Sequence, residues 1–148
     1  MKRKYGLLGL LLVSGADAAA RNKVRPKNVL FIAVDDMKPA LGCYGDRVAR
    51  TPHIDALAAD GAVFRRAYCQ QAVSGPTRAS LLTGLRPEEV GVTELNTWMR
   101  AKVPDVVTLP QAFREAGYET RGVGKIFHGT KNSLDERSWS ERPSLYEY

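Results

Sequence analysis

The segment NVLFIAVDD, residues 28–36, gives the clearest indication of fold class. An uninterrupted apolar run rich in Val and Ile extends from 29 to 34. Such a run is typical of a strand that is buried on both faces, as in a parallel sheet covered by helices. The run ends abruptly at two carboxylates, Asp35 and Asp36. The segment therefore predicts an inner strand of an α/β layered fold.

Helix signals follow this strand. In TPHIDALAADG (51–61), Thr51 is placed as an N-cap, a proline occupies the first helical position and a glycine ends the helix. A short helix is predicted from Pro76 to Thr83. The segment VTLPQAFREAG (107–117) repeats the Thr-x-Pro entry and the Gly exit. Its predicted inner face consists of Leu109, Ala112, Phe113 and Ala116.

A second inner strand is predicted at YETRGVGKIF (118–127), although its glycines weaken the strand. The order strand, helix, helix, strand is typical of an α/β fold with helices packed on a sheet. The tail, residues 131–148, is polar and has no hydrophobic periodicity, so no element is predicted there.

The net charge of +6 comes from the beginning of the chain. Residues 1–27 hold seven basic side chains against one acidic, whereas residues 28–148 hold fifteen of each. A nucleic-acid-binding domain is expected to have its basic excess on the folded surface that meets phosphate, so this class is excluded.

The leader itself has the three parts of a secretory signal peptide. A basic cluster is followed by the apolar stretch LLGLLLV (7–13) and by small residues up to Ala20. The apolar stretch is too short for a membrane span. We therefore expect a signal peptide at 1–20, a polar linker at 21–27 and a domain portion at 28–148, in a protein that is exported to the periplasm or secreted.

The sequence does not decide whether its two cysteines form a disulfide. Cys43 and Cys69 could form a disulfide in an oxidising compartment, or both could be small buried side chains. Two cysteines alone do not make a metal site.

Asp35 and Asp36 are the first candidates for chemistry. Ligands of open α/β sheets bind outside the carboxyl ends of the strands. Two adjacent carboxylates repel each other unless a cation compensates, and oxygen ligands suit Ca²⁺ or Mg²⁺. An isolated pair of aspartates would equally fit a solvated turn.

Ser74 and Arg78 in SGPTRAS (74–80) are the second candidates. If Pro76 begins a helix, Ser74 lies at or just before its N-cap, where free N–H groups favour an anion. Arg78 is four residues further on and reaches the same face. This arrangement suits a nucleophile that faces a sulfate or phosphate group. The alternative is a capping serine with a solvent-facing arginine.

Three ordered blocks together resemble the N-terminal half of the type I sulfatases, closest to their iduronate-2-sulfatase-like branch. The blocks are NVLFIAVDDMKPALGCYGD, TPHIDALAADGAVFRRAYCQQAVSGPTRASLLTGLRP and GVGKIFHG, within about residues 27–130. Ser74-Gly75-Pro76-Thr77-Arg78 is similar to the family's C/S-x-P-x-R maturation signature. The resemblance implies an alkaline-phosphatase-like α/β sandwich with a largely parallel or mixed sheet flanked by helices, incomplete in this chain.

The resemblance also implies roles for the candidate residues. Ser74 would be oxidised to formylglycine by a radical-SAM maturase of the Ser type. The aldehyde hydrate would attack the sulfur of a sulfate ester, with a sulfated sugar as the implied substrate. Asp35, Asp36 and residue 74 would bind Ca²⁺, or Mg²⁺. Arg78 would orient the formylglycine, Lys125 would stabilise developing charge, and His128 would hydrogen-bond near the nucleophile.

The family takes its remaining metal ligands, a further His and a second Lys from a later segment that this sequence does not contain. Two alternatives to a sulfatase therefore stay open at this point. One is a phosphatase or phosphonate hydrolase of the same superfamily, and the other is an inactive truncated product.

Overall fold

Helices, rather than a sheet, organise the part of the chain that the computed structural model describes, residues 27–145. The predicted signal peptide and residues 21–26 of the predicted linker lie outside the described residues. Of the described residues, 27–31 belong to one unit and 32–145 to another. The helices, the core and all the residues with predicted roles belong to the second unit. No helix among the described residues is long and apolar enough to cross a membrane.

Six α-helices and one short 3-10 turn follow each other along the chain. The 3-10 turn covers Gly42–Tyr44. The helices are α1 (Pro52–Asp60), α2 (Ser74–Thr83), α3 (Pro87–Val90), α4 (Met99–Lys102), α5 (Leu109–Glu115) and α6 (Thr130–Ser133). The three predicted helices are therefore present, and α2 begins two residues earlier than predicted.

The two predicted strands are not formed. Within residues 27–145 the structure contains no β-strand, and Val123 and Ser144 make one isolated parallel bridge. Residues 29–34 have an irregular backbone, and side chains that the sequence placed in a core are exposed, with Leu30 at 84% and Ile32 at 71%. An inner strand needs neighbouring strands for its hydrogen bonds and helices on both faces, and the described residues supply neither.

The predicted inner face of α5 is also wrong. Leu109 is 41% exposed, and Ala112 and Ala116 are exposed as well, whereas Pro110 and Gln111 are buried. Thr108 caps this helix, since its hydroxyl accepts a hydrogen bond from the backbone N–H of Gln111 at 3.2 Å. Polar contacts of Gln111, rather than the apolar stripe, set the orientation of α5.

The core lies where α2 and α3 meet the later loops and the tail. Phe127 and Trp139 pack edge to face, with ring centroids 6.1 Å apart. The tail, predicted to contain no element, therefore contributes α6 and one of the two large aromatic side chains of the core. The buried apolar residues are Ala79, Leu82, Val90, Val92, Met99, Phe127 and Trp139.

Both cysteines are free thiols in the structure. Cys43 is half-buried beside α1, and Cys69 is exposed. The backbone N–H of Cys43 donates to Asp55 at 2.7 Å, which ties the 3-10 turn to α1.

A buried guanidinium joins α4, α5 and the tail. Arg100 makes a bidentate ion pair with Asp135, with both N–O distances 2.9 Å. It also donates to the side chain of Gln111 at 2.8 Å and to the backbone carbonyls of Pro104 and Val106. Burial alone would raise the pKa of Asp135, but hydrogen bonds from Arg100 and Ser138 outweigh it and the pKa is lowered.

Arg100→Met should lower the free energy of unfolding by about 3–5 kcal/mol, because it leaves the buried Asp135 carboxylate without its partner. The measurement is urea unfolding followed by circular dichroism above pH 5. Stability from a carboxylate with a lowered pKa is complete above its ordinary pKa and is lost as the pH falls below that value, so the two proteins should differ less in acid.

Arg137→Met is the matched control, because Arg137 and its ion-pair partner Asp105 are exposed. It should cost no more than about 1 kcal/mol. Loss of any cooperative transition in Arg100→Met alone would agree with the prediction, and equal stability of the two variants would contradict it.

Candidate active site

Three separate segments of the chain meet at the carboxylate of Asp35. This residue lies in the turn that follows the apolar run of residues 29–34. Arg78, from the second turn of α2, donates to Asp35 Oδ1 at 2.8 Å. Lys125, from the loop before α6, donates to Asp35 Oδ2. The structure thus brings together three of the six predicted site residues, which are separated by 43 to 90 positions in sequence.

Arg78 is the buried centre of this cluster. Its Nη1 donates to the backbone carbonyls of Lys125 at 2.5 Å and Ile126 at 2.9 Å, and its side chain is only 8% exposed. The interpretation as a solvent-facing arginine is therefore wrong. Because the guanidinium is a rigid planar fork, it fixes α2, Asp35 and the Lys125 loop in one arrangement.

The two cations determine the charge state of Asp35. The hydrogen bond from Lys125, together with that from Arg78, lowers the pKa of Asp35 to about 2. The carboxylate is thus ionised throughout the neutral range, and it pairs with both Arg78 and the more exposed Lys125.

His128 lies three residues beyond Lys125, and both residues line the same cleft. Burial, followed by the charges of Lys125 and Arg78, lowers the pKa of His128. Its ring is therefore neutral at pH 7. Its Nδ1 is buried and has no hydrogen-bond partner among the described residues. A neutral imidazole with a free ring nitrogen is suited to exchange a proton or a hydrogen bond with a bound group.

A cleft of about 980 Å³ adjoins these residues. Asp35, Lys125 and His128 line it, together with α6 and the tail. Small-molecule sites commonly have about 300–1,000 Å³, so the cleft has room for a ligand larger than a single sulfate group. Its remaining lining residues are Gly124, Phe127, Gly129, Thr130, Ser133, Leu134, Arg142, Pro143 and Leu145.

Ser74 is not among the residues that line this cleft. It is the first residue of α2, and Val73 rather than Ser74 occupies the N-cap position. Its hydroxyl makes no capping hydrogen bond, and the side chain is half-buried. The next residue must be small, because a Cβ at Gly75 would lie 2.7 Å from the carbonyl oxygen of Glu94.

Asp36 lies beside the cluster without joining it. Its φ of 48° is in the left-handed region, which a short polar side chain tolerates better than most. Within residues 27–145 no three His, Cys, Asp or Glu side chains come close enough to hold a metal ion. Both oxygens of Asp35 are already bonded to cations. The described residues by themselves therefore do not fit a Ca²⁺ site, and the predicted metal role of Asp35, Asp36 and Ser74 stays a prediction.

Sequence reasoning missed the residues that support the cleft from the tail. Asn132 donates to the carbonyls of His128 and Thr97, both at 3.0 Å, and accepts from the backbone N–H of Met99 at 2.9 Å. It thereby fixes the turn that carries His128. The polar tail gave no periodic signal for this role, and only the first position of α6, a threonine after glycine, resembles a helix start.

Comparison with known proteins gives a consistent result. The sulfatase family model matches residues 27–138. The chain is 43% identical to iduronate 2-sulfatase of Homo sapiens over 92% of its length, but it covers 26% of that relative. It is 34% identical to a sulfatase of Formosa agariphila over 86% of its length, covering 27% of that relative. It is 36% identical to N-acetylglucosamine-6-O-sulfatase of Bacteroides thetaiotaomicron over 80% of its length, covering 21%.

The chain therefore spans about a quarter of the length of the curated relatives it matches. The match includes the Asp35 turn, the whole of α2 and the Lys125–His128 loop, which are the parts that the structure brings together. On the extent of the family match and the identity to these relatives, the chain belongs to the sulfatase family.

Proposed function

We propose that residues 28–148 form part of the catalytic domain of a sulfatase that hydrolyses the sulfate ester of a sulfated carbohydrate. The observation that carries the proposal is the hydrogen-bonded cluster of Asp35, Arg78 and Lys125. Residues from three sequence blocks that resemble sulfatase motifs meet there, although the described residues form no sheet. The named relatives include sulfatases of iduronate and N-acetylglucosamine, which supports a sulfated sugar as the substrate class.

The proposal gives Ser74 the role of nucleophile precursor. A formylglycine at this position would supply the hydrated aldehyde that attacks sulfur. Its place at the start of the ten-residue helix α2 supports this role, because free N–H groups and the helix dipole there stabilise negative charge. Arg78, one helical turn later, links this helix to Asp35 and to the Lys125 loop.

Lys125 and His128 are proposed to act on the sulfate ester. Lys125 is 26% exposed, and an ammonium group has three donors, of which Asp35 takes one. The remaining donors can stabilise charge that develops on sulfate oxygens. His128 is neutral because of its lowered pKa, so its imidazole can accept a proton or share a hydrogen bond near the nucleophile.

The proposed metal ion, Ca²⁺ or Mg²⁺, needs ligands in addition to those of the described residues. Ca²⁺ takes six to eight oxygen ligands, more than Asp35, Asp36 and residue 74 offer.

Export to the periplasm or outside the cell is proposed from the leader sequence at 1–20. With serine at position 74, the proposed maturation partner is a radical-SAM enzyme that acts before export.

The first prediction from the proposed function concerns maturation. When the chain is co-expressed with a Ser-type maturase, the peptide that contains residue 74 should gain an aldehyde that reacts with a hydrazide probe. Mass spectrometry of tryptic peptides measures this, and Ser74→Ala should give no labelled peptide. An unmodified Ser74 beside a maturase that converts a reference substrate would contradict the proposed nucleophile.

The second prediction concerns the cluster that carries the proposal. Arg78→Lys keeps the positive charge but loses the planar fork, so its single nitrogen cannot occupy the positions of both Nη1, which bonds two carbonyls, and Nη2, which bonds Asp35. We expect a loss of about 1–3 kcal/mol of stability in denaturant unfolding. Faster amide exchange should be confined to the Asp35 turn and residues 124–128. Arg47→Lys, at an exposed position, should change neither the stability nor the amide exchange. If the two variants behaved alike, the proposed role of Arg78 in holding the cluster together would be refuted.

The third prediction concerns the 148-residue chain as it is. We expect it to bind Ca²⁺ no more tightly than about 0.1 mM, since so few oxygen ligands are available. We expect no release of sulfate from an aryl sulfate. Calorimetric titration and a sulfate assay measure these outcomes, with Asp35→Asn as the matched variant. Tight stoichiometric binding that Asp35→Asn abolishes would show that the described residues suffice after all.

A further inference from the structure

The tail brings an arginine to the cleft by pairing with the segment that precedes Lys125. The backbone N–H of Ser140 donates to Thr120 at 3.0 Å, that of Ser144 donates to Gly122 at 3.1 Å, and that of Gly124 donates to Ser144 at 2.8 Å. These bonds lay residues 140–144 along residues 120–124. Arg142 lies in the middle of this paired stretch and lines the cleft that contains Lys125 and His128.

Packing beneath the tail fixes this arrangement. Trp139 is buried, and its indole N–H donates to the carbonyl of Ser133 at 2.9 Å. Its ring covers Gly122 so closely that an added Cβ there would lie 3.0 Å from the ring. Arg142 therefore extends from an anchored backbone and not from a loose end.

Neighbouring carboxylates do not neutralise Arg142. Glu141, the adjacent acid, forms an ion pair with Arg121 at 2.9 Å, and Glu119 pairs with the same arginine. Arg142 is exposed and forms no ion pair with any other residue between 27 and 145. Asp35, the acidic side chain in the cleft lining, is bonded to Arg78 and Lys125.

The cleft thus holds two cationic side chains, Lys125 and Arg142, in a volume of about 980 Å³. A sulfate ester at Lys125 uses only one of them, and the volume admits a further sugar or substituent. An exposed guanidinium on a fixed backbone is suited to a bidentate contact with a carboxylate or with a second sulfate.

We infer that Arg142 is a specificity-determining residue that binds a second anionic group of the substrate, so the preferred substrate is a sulfated sugar with two negative charges. This inference rests on the proposed function, since it takes Lys125 as the contact of the reacting sulfate. Arg142 acts in binding and takes no part in bond cleavage.

The test compares affinities for three sugars with the purified 148-residue chain, measured by NMR titration. N-acetylglucosamine 6-sulfate carries one anionic group. A monosulfated disaccharide with a uronate carries two, and a disulfated neutral disaccharide also carries two. Both two-anion sugars should bind about tenfold more tightly than the first. A gain for only one of them identifies the second anion as carboxylate or sulfate.

Arg142→Gln should abolish this tenfold preference and leave the affinity for N-acetylglucosamine 6-sulfate unchanged. Arg137→Gln, also exposed in the tail but outside the cleft, should retain the preference. Arg142→Lys, which keeps the charge but not the planar fork, should retain part of the preference. It replaces Arg142→Gln as the test variant if Arg142→Gln fails to fold. Undiminished preference in Arg142→Gln, or no preference or binding in the parent chain, would overturn the inference.

The proposed function and this inference fail in different experiments. Absence of an aldehyde at residue 74 would remove the proposed nucleophile without affecting the binding preference. Loss of the Arg142 effect in a chain that is correctly modified would remove the inference and leave the proposed function intact.

Discussion

The bidentate ion pair of Arg100 with Asp135 is the contact on which the rest of the structure depends. A buried guanidinium is tolerated only where its donors are satisfied, and here a carboxylate, an amide and two carbonyls surround it. These partners come from the loop after α4, from α5 and from the tail. The described part of the chain has no sheet. These buried polar contacts of Arg100 join segments that are distant in sequence, as hydrogen bonds between strands do in a sheet.

The candidate site depends on the Arg100–Asp135 ion pair through the tail. Asp135 fixes the beginning of the stretch that places Trp139 against Phe127, and Phe127 lies between Lys125 and the helix α6. Asn132 then holds the turn at His128, because its side-chain amide donates to the backbone carbonyl of His128. The position of His128 therefore depends on contacts of residues 131–139, a region in which the sequence showed no hydrophobic pattern, whereas Lys125 is held by Arg78 and Asp35.

The sequence predicted the helices well, because their boundaries are marked by local chemistry. Thr108 caps α5, prolines stand in the first turns of α1 and α5, and Gly84 ends α2 in the left-handed conformation. Membership of the sulfatase family implies an alkaline-phosphatase-like α/β fold. The predicted strand at 29–34 is nevertheless absent, since a strand is stable only when other segments pair with it, and these are not among the described residues. The α5 face was mispredicted because Arg100 attracts Gln111 inward.

Among the predicted site residues, the structure brings together three that carry opposite charges, whereas the roles predicted for all six stay predictions. Asp35, Arg78 and Lys125 meet as oppositely charged groups should, whereas Ser74 and Asp36 remain outside the lining of the cleft. Arg142 could not be found from its neighbours, because ERPS in a polar tail resembles many solvated loops. Its place follows only from the hydrogen bonds between residues 120–124 and 140–144.

The two cations at Asp35 differ in what they can still do. Arg78 is 8% exposed, and its Nη1 and Nη2 are hydrogen-bonded to two carbonyls and to Asp35. A ligand could therefore bind Arg78 only if these hydrogen bonds broke. Lys125 is more exposed and has donors that Asp35 does not use. Burial thus distinguishes two side chains of equal charge: Arg78 holds the cluster together, whereas Lys125 keeps the donors that the proposed function assigns to the sulfate ester. An anion in the cleft can reach Lys125 while Arg78 continues to hold Asp35, so the site need not rearrange in order to bind.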